Sequence, residues 1–404
     1  MWKCPLRVSF SWSGIMNELG IYHDTGVQTA CNSHCYGAYK NTARFIRPSR
    51  MPRLMQREQF LDMSHRVTSG PTSIHYTKHS RWTYEFPFIF VIPPATENFS
   101  HDVPAACRVL PPSFRIGKCS ARIIPIGTCL RLAIQYELAV SVDYREYSFR
   151  QWASPRQVSG GREIHIVPYT EACPPTEISD FPGEFLMKVT VPLRNRLFTN
   201  QIGIATVVVD EPDPLVYTSE TPEPRTECGV KLFIEGAQLL QKRLQGLTIS
   251  TKSRIRAKTF YSGQPITCIP IQADLAERSG LHLRDEISNL KHYKFRNLSW
   301  IPYNEPPTQF EEHVATYQIR VIPDLQAGGK WLASFYLPIV PQENLTPSFC
   351  STLVARSYSF QAHFVLEGLA SGPVDLEVPL QVIYPFQKQL SERIRQTSRG
   401  IRDI

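Results

Sequence analysis

Hydrophobic and polar residues alternate along much of this chain with a period of two, which is the pattern of β-strands that bury one face. The longest run extends from Leu130 to Asp143, where aliphatic residues and a tyrosine alternate with polar or small residues. The run from Thr83 to Pro94 has the same alternation and places three phenylalanines on the predicted inward face, namely Phe86, Phe88 and Phe90. Its Pro87 lacks the amide hydrogen that a central strand needs, so we expect an edge strand or a bulge there.

The same pattern recurs through the rest of the sequence, while helical periodicity is confined to short stretches. Further predicted strands cover residues 162–167, 203–209, 247–261, 315–322, 331–340, 357–366 and 374–383. Helical spacing is found over residues 236–244 and in the tail after residue 387. Many short strands separated by proline-rich turns predict an all-β fold built from sandwiches.

The alternation breaks between Pro168 and Gly183, where two proline-containing turns interrupt it. We therefore expect two sandwich domains, over residues 60–172 and 180–386, because 404 residues exceed one ordinary core. Periodicity is poor over residues 1 to about 80, and residues 1–59 form a basic leading segment. Residues 387–404 form a basic tail, for which a solvated segment is favoured over contact with an anionic membrane surface.

The formal net charge of +8 is concentrated near the start of the chain. Before residue 83 there are 11 Lys and Arg residues against 4 Asp and Glu residues, which leaves 33 against 32 for the remainder. A neutral body lacks the basic face of a nucleic-acid-binding domain, so no nucleic-acid partner is expected. No run reaches the roughly 20 apolar residues of a membrane span, and we therefore expect a cytoplasmic protein.

The sequence offers little support for metal, cofactor or catalytic chemistry. The ten cysteines are spread singly, except for Cys31-Asn-Ser-His-Cys35, where no second cluster completes a tetrahedral site. The motifs of serine hydrolases, zinc proteases and dinucleotide-binding enzymes are absent from the sequence. Acids stand beside bases at Glu311-Glu312-His313 and His101-Asp102, yet neighbours on a strand point to opposite faces. We therefore predict no catalytic residue, no metal and no cofactor.

Four cations at alternate positions form the most distinctive polar feature: Lys252, Arg254, Arg256 and Lys258. On a strand they share a face at intervals of about 6 to 7 Å, so their fields overlap at physiological salt. Such a row could bind an acidic or phosphorylated segment through charge-assisted hydrogen bonds. The alternative, favoured on the sequence alone, is a solvated face that protects a sheet edge from unwanted pairing. In both cases Arg254 and Arg256 are expected to be exposed.

Several segments of the sequence resemble, in order, parts of one known family of two-domain proteins. The run ending at Pro94, with Leu110-Pro-Pro-Ser113 after it, resembles part of the family's N-terminal domain, and Asp180-Phe-Pro-Gly-Glu184 is similar to the start of its C-terminal domain. Three further segments resemble later strands of the C-terminal domain, namely Ala257-Lys-Thr-Phe-Tyr-Ser-Gly263, Pro347-Ser-Phe-Cys350 with Ala355-Arg-Ser-Tyr-Ser-Phe360, and Val378-Pro-Leu-Gln-Val382. The match runs in order from about residue 60 to residue 386, and the family's first strands find no counterpart before it. The family that these segments resemble is that of the fungal arrestin-like proteins, the arrestin-related trafficking adaptors.

The resemblance implies two tandem immunoglobulin-like β-sandwiches and a non-catalytic adaptor. Such an adaptor binds cytosolic tails of membrane transporters or receptors and links them to ubiquitination, endocytosis and protein transport. It implies a cytoplasmic location with peripheral contact at the plasma membrane or endosomes. A ubiquitin ligase is the further partner implied, although the Pro-Pro-x-Tyr motif that recruits it is absent. The nearest sequences are Pro111-Pro-Ser-Phe114 and Pro306-Pro-Thr-Gln-Phe310.

Two other interpretations stay open. A β-sandwich carbohydrate-active or other hydrolytic enzyme would need two carboxylates that converge in a cleft. A member of the arrestin-like family whose N-terminal domain no longer folds would account for the poor fit of the leading 80 residues.

Overall fold

The computed structural model describes residues 30–44, 55–67, 73–77, 81–85, 92–93, 95, 105–116, 129–144, 147–148, 151–152, 156–195, 198–218, 223–236, 243–278, 280–303, 314–316, 329–372 and 374–385. These residues form an all-β structure with only short helical turns. The chain divides into two compact units, residues 1–168 and 169–404. The sandwich domains expected over residues 60–172 and 180–386 stay a prediction. No helix in the described ranges is long and apolar enough to cross a bilayer.

Within its described residues, unit 1 contains one five-stranded sheet and two short hairpins. Its strands are β1 (Ala30–Arg44), β2 (Met55–Val67), β3 (Ser73–Thr77), β4 (Arg81–Glu85), β5 (Phe114–Ile116), β6 (Cys129–Tyr144), β7 (Tyr147–Ser148), β8 (Gln151–Trp152) and β9 (Arg156–Ile164), with a 3-10 helix at Ala105–Arg108. The sheet has the order β2-β1-β6-β5, and β9 also pairs with β6. β1 pairs antiparallel with both β2 and β6, so part of the leading segment belongs to this sheet.

The turn at Leu110–Ser113 is fixed to this sheet by two side chains. The Tyr136 hydroxyl on β6 donates a hydrogen bond of 2.5 Å to the carbonyl oxygen of Pro111, in a buried position. The Ser113 amide donates to the Ile166 carbonyl, and the Ser113 hydroxyl accepts from the Ile166 amide. One of the two sequences that come nearest to the Pro-Pro-x-Tyr motif starts at Pro111 and lies within the described residues. It is part of this packed turn.

Two sheets make up most of the described part of unit 2. Its strands are β10 (Lys188–Asn195), β11 (Phe198–Val209), β12 (Leu215–Val216), β13 (Thr226–Gly236), β14 (Thr248–Ser262), β15 (Leu281–Asn289), β16 (Tyr293–Phe295), β17 (Ile301–Pro302), β18 (Val314–Thr316), β19 (Gly329–Ile339), β20 (Phe349–Cys350), β21 (Val354–Glu367), β22 (Ala370–Ser371), β23 (Val374–Leu380) and β24 (Val382–Ile383), with a 3-10 helix at Ile178–Asp180 and α1 at Asp274–Glu277. The β10 sheet has the order β17-β19-β13-β11-β10-β18, with β22 beside β10. The β14 sheet has the order β15-β14-β21-β20, with β16 beside β14 and β23 beside β21.

One hydrophobic core joins the facing sides of these two sheets. It contains Val191, Val207 and Leu232 from the β10 sheet and Ile255, Phe360 and Leu376 from the β14 sheet. Because side chains alternate along a strand, the residues between these core positions point to the outer face of each sheet. A second, smaller cluster lies on the outer face of the β14 sheet and contains Phe260, Ile266, Leu281 and Ala355.

The alternation in the sequence predicts several of these strands and misses others. The predicted strands at residues 203–209, 247–261 and 357–366 are confirmed as β11, β14 and β21. β1 and β13 are not predicted, although β13 has an alternating buried face that contains Cys228, Val230, Leu232 and Ile234. The three phenylalanines with Pro87, the two acid–base clusters and the motif at Pro306 lie outside the described residues.

Cys228 offers a test of how β13 lies in the core. Its side chain is 0% exposed. Burial, with a smaller contribution from Asp210, raises the pKa of this thiol to about 12, so its reactive thiolate is scarce at pH 8. Cys173 is free and exposed and serves as the matched control. We expect iodoacetamide to modify Cys173 in the folded protein and Cys228 only after unfolding in urea, as measured by mass spectrometry. Equal modification of both cysteines in the folded protein would contradict this placement.

Candidate functional site

The four cations of the predicted basic row lie on the outer face of β14. Core-facing positions on this strand include Ile249, Ile255 and Ala257. The residues between them carry the cations, which therefore share one face as the alternation predicts. Their burial differs along the strand, however, and divides the row into two pairs. We call Lys252 and Arg254 the outer pair and Arg256 and Lys258 the inner pair.

Lys258 is buried beneath two chain segments that cross the outer face of the β14 sheet. One is the connecting segment, residues 178–187, and the other is the covering loop, residues 263–278. The Lys258 side chain is 1% exposed, and its Nζ lies 2.8 Å from Glu184 Oε2 in the connecting segment. It also lies 3.6 Å from Glu377 Oε1 on β23 and 4.9 Å from the centre of the Phe185 ring. The charge of Lys258 is thus compensated inside unit 2.

Glu184 joins the two crossing segments at the position of Lys258. Its side chain is 4% exposed. While Oε2 accepts from Lys258, Oε1 accepts from the backbone amide of Gln272 in the covering loop. Two residues further along, Leu186 and Glu377 exchange backbone hydrogen bonds of 2.8 and 3.0 Å, which attach the connecting segment to the free edge of β23. One carboxylate of the connecting segment therefore contacts both the sheet and the covering loop.

Arg256, the second member of the inner pair, is held by two carboxylates. Its Nη2 lies 2.7 Å from Asp285 Oδ2 on β15, and its Nη1 lies 3.3 Å from Glu377 Oε1. The hydrogen bond with Asp285 raises the pKa of Arg256, and burial, which acts in the opposite direction, only partly offsets it. The side chain is 17% exposed. The expectation that Arg256 is exposed is therefore wrong, because β15 and β23 place carboxylates on either side of it.

The outer pair differs from the inner pair because it is exposed and forms no ion pair with a described carboxylate. Arg254 Nε donates a hydrogen bond of 2.6 Å to Gln361 Oε1 on β21. Lys252 lies opposite His363, whose Nδ1 is 2.7 Å from Asp375 Oδ1. The surface near these two cations therefore presents a lysine ammonium, an arginine fork and an imidazole, together with the exposed Asp375 carboxylate that pairs with the imidazole. This is the part of the row that an external anion can reach.

A buried cation that the sequence pattern does not predict, Arg356, lies opposite Thr259 of β14, next to the inner pair. Arg356 on β21 is 8% exposed and donates to the hydroxyls of Tyr358 and Thr259. Its Nη1 also lies 2.9 Å from Glu286 Oε2. Burial lowers the pKa of Arg356, but Tyr358 and Glu286 outweigh this effect and raise it overall. Its position in an alternating strand among core residues is the signal that could have revealed it.

The carboxylates that neutralise the inner pair were also not predicted, because they come from three distant segments. Glu184, Asp285 and Glu377 are separated from β14 by long stretches of sequence and are brought together only by the fold. Within the described part of the chain, no group of three or more His, Cys, Asp or Glu side chains is arranged to hold a metal ion. The side chains of Cys31 and Cys35 lie outside that part.

Comparison with known proteins adds no relative. No protein-family model matches this chain, and no curated protein matches it.

The buried ion pair predicts a specific pattern of stability changes. Replacing Lys258 with Met leaves Glu184 buried without its cation, so we expect the free energy of unfolding to fall by about 3 to 5 kcal/mol. Combining Lys258→Met with Glu184→Gln removes both charges and keeps an acceptor for Gln272, so most of this loss is recovered. Arg254→Met, at an exposed position on the same face, changes stability by less than about 0.5 kcal/mol. Urea unfolding measures all three variants. Equal losses in Lys258→Met and Arg254→Met would show that the pair does not contribute to stability.

Proposed function

We propose that this protein is a non-catalytic arrestin-like adaptor with two immunoglobulin-like sandwich domains. It binds cytosolic parts of membrane transporters or receptors and links them to ubiquitination, endocytosis and protein transport. It acts in the cytoplasm with peripheral contact at membranes. The proposal rests on the ordered resemblance of its motifs to that family and on the positions that the motif residues occupy in unit 2.

The observation that most supports the proposal is a direct contact between residues of two of these motifs. Asp180–Glu184 and Ala257–Gly263 are far apart in the sequence, yet their residues Glu184 and Lys258 form a buried ion pair of 2.8 Å. Such a contact explains why both motifs would occur together in one fold, since a buried charge needs its partner. A third motif contributes Tyr358, whose hydroxyl donates to Thr346 and so fixes the chain just before Pro347.

Reversible binding to an acidic or phosphorylated segment is the activity that the outer pair supports. Lys252 and Arg254 are exposed and unneutralised by described carboxylates, whereas Arg256 and Lys258 are already paired. An arginine fork offers two parallel hydrogen bonds to a carboxylate or phosphate, and a nearby lysine adds a point charge. The proposed surface is therefore narrower than the four-residue row in the sequence.

The hydrolytic alternative gains no support from the described residues. Glu184 and Glu377 are two carboxylates that converge, and both contact Lys258. Each is mostly buried and hydrogen-bonded, and Glu377 is also bound by Ser359 and Gln361. A general acid and base need access to a substrate, which this arrangement does not offer them.

The binding surface is tested by replacing both members of the outer pair with Gln. We expect affinity for acidic and phosphorylated peptides to fall at least about tenfold at low salt, because two charge-assisted hydrogen bonds are lost. The matched control replaces Arg225 and Lys231 with Gln, since these are an exposed and a partly exposed cation that already pair with Glu227 and Asp210. Fluorescence polarisation measures both variants against the parent. Equal affinity and salt dependence in all three proteins would remove the proposed surface.

The adaptor function itself is tested by proximity labelling in the native host, followed by mass spectrometry. We expect enrichment of membrane transporters together with ubiquitination machinery. The variant with Gln at residues 252 and 254 should lose the transporters if the outer pair recognises them. A labelled set that contains neither class of protein would overturn the proposed function.

A further inference from the structure

β15 forms one edge of the β14 sheet and differs from the opposite edge. Leu281 to Asn289 pair with β14 on one side. Within the described residues no strand pairs with the other side of β15, whereas the corresponding edge of β23 is bridged by Leu186. Most of β15 is at least partly exposed, and Ile287 is 52% exposed. An edge of this length presents a row of backbone donors and acceptors to any strand that can pair with it.

The ladder with β14 determines which residues of β15 direct their backbone groups outward. Just beyond β15, the Leu290 amide donates to the Ser253 carbonyl of β14 at 2.9 Å. Because backbone direction alternates along a strand, the even-numbered residues of β15 bond to β14 and the odd-numbered residues point away from it. Leu283, Asp285 and Ile287 therefore carry the outward amides and carbonyls.

The residues in the middle of β15 can pair favourably, by charge and by hydrophobicity, with the same residues of a second copy that runs antiparallel. Leu283-Arg-Asp-Glu-Ile287 has an apolar residue at each end, a cation next to one end and an anion next to the other. In an antiparallel pair centred on Asp285, Arg284 of one copy lies opposite Glu286 of the second, and Leu283 lies opposite Ile287. Each of these pairs occurs twice, as a two-fold axis requires.

The outward backbone groups permit this register. Leu283, Asp285 and Ile287 would form the hydrogen-bonded pairs, and Arg284 and Glu286 would form the closer non-hydrogen-bonded pairs, with Cα atoms about 4.5 Å apart. Moving the centre by one residue places Arg284 opposite Arg284 or Glu286 opposite Glu286, and like charges in such close pairs are destabilising. The charge pattern therefore selects one register among those that the backbone allows.

The side chains of unit 2 are arranged in a way that suits this pairing. At the centre, two copies of Asp285 would face each other, but each is neutralised by two hydrogen bonds from Arg256. Arg284 and Glu286 are 37% and 36% exposed and lie 3.8 Å apart, too far for a strong hydrogen bond within one chain. Glu286 is also held at the edge by Arg356. The carboxylate is thus fixed where an arginine of a second copy can reach it.

We propose that β15 pairs with β15 of a second copy of this chain, about a two-fold axis at Asp285, to form a continuous sheet in a homodimer. Charges on an edge strand often serve to prevent such pairing, and a run of one sign would repel a second copy. Here the two signs are placed so that they attract. The contact involves few residues, so it falls below the size of a stable interface, and the dimer forms reversibly at micromolar or higher concentration.

Sedimentation velocity of the full chain over a range from about 1 to 200 µM tests the proposal, with the parent expected to shift from monomer to dimer as concentration rises. Arg284→Glu converts both attractive close pairs into repulsive ones, so the dissociation constant should rise at least about tenfold. The matched control is Arg225→Glu, which makes the same charge change at an arginine that is 62% exposed and lies outside β15. Ile287→Pro provides a second variant, because it removes an outward amide that β14 does not use.

Hydrogen exchange at high and low protein concentration locates the contact. The amides of Leu283, Asp285 and Ile287 should gain protection as the dimer forms, while Arg284 and Glu286 are protected at both concentrations by β14. A parent that stays monomeric throughout the range overturns the proposal. So does a dimer that Arg284→Glu and Arg225→Glu weaken equally, or one whose new protection lies outside β15. Thermal melting of each variant confirms that any loss of the dimer is not caused by unfolding.

Discussion

The described part of unit 2 depends on the burial of one lysine charge. Lys258 lies in the middle of a sheet with 1% of its side chain exposed, and such an ion is stable only when a partner and further hydrogen bonds replace water. Glu184 supplies that partner, and the same carboxylate binds the covering loop through Gln272. The pair contributes little net energy compared with an apolar contact, but it fixes where two segments cross the sheet.

The position of this ion pair divides the outer face of β14 into an enclosed region and an exposed region. Near Glu184 the cations are enclosed and neutralised, and the apolar cluster around Phe260 continues the covered surface. Towards the start of β14 the crossing segments no longer cover the strand, which leaves Lys252 and Arg254 exposed. The connecting segment also bridges the edge of β23 through Leu186, while no strand among the described residues pairs with the outer edge of β15. One face of β14 thus packs in the core, and its other face carries both the enclosed charges and the candidate binding surface.

The sequence predicts local features of this arrangement well and long-range ones poorly. Alternation identifies β14 and places its four cations on one face, because a period of two is a property of the strand itself. It cannot show that Arg256 and Lys258 are enclosed, since the carboxylates that pair with them come from residues 184, 285 and 377. β1 has no alternation and is defined by its pairing with β2 and β6. In the same way, nothing in the local sequence around Glu184 shows that its carboxylate pairs with Lys258, because only the fold brings the two residues together.

The central claim is that the Glu184–Lys258 pair holds the connecting segment and the covering loop on the β14 sheet. Native-state hydrogen exchange of the parent and of Glu184→Ala tests it most directly. We predict that the amides of Gln272 and Leu186 exchange at least about tenfold faster in the variant, whereas amides in β11 keep their protection. Unchanged protection of Gln272 and Leu186 in a variant that remains folded would contradict the claim.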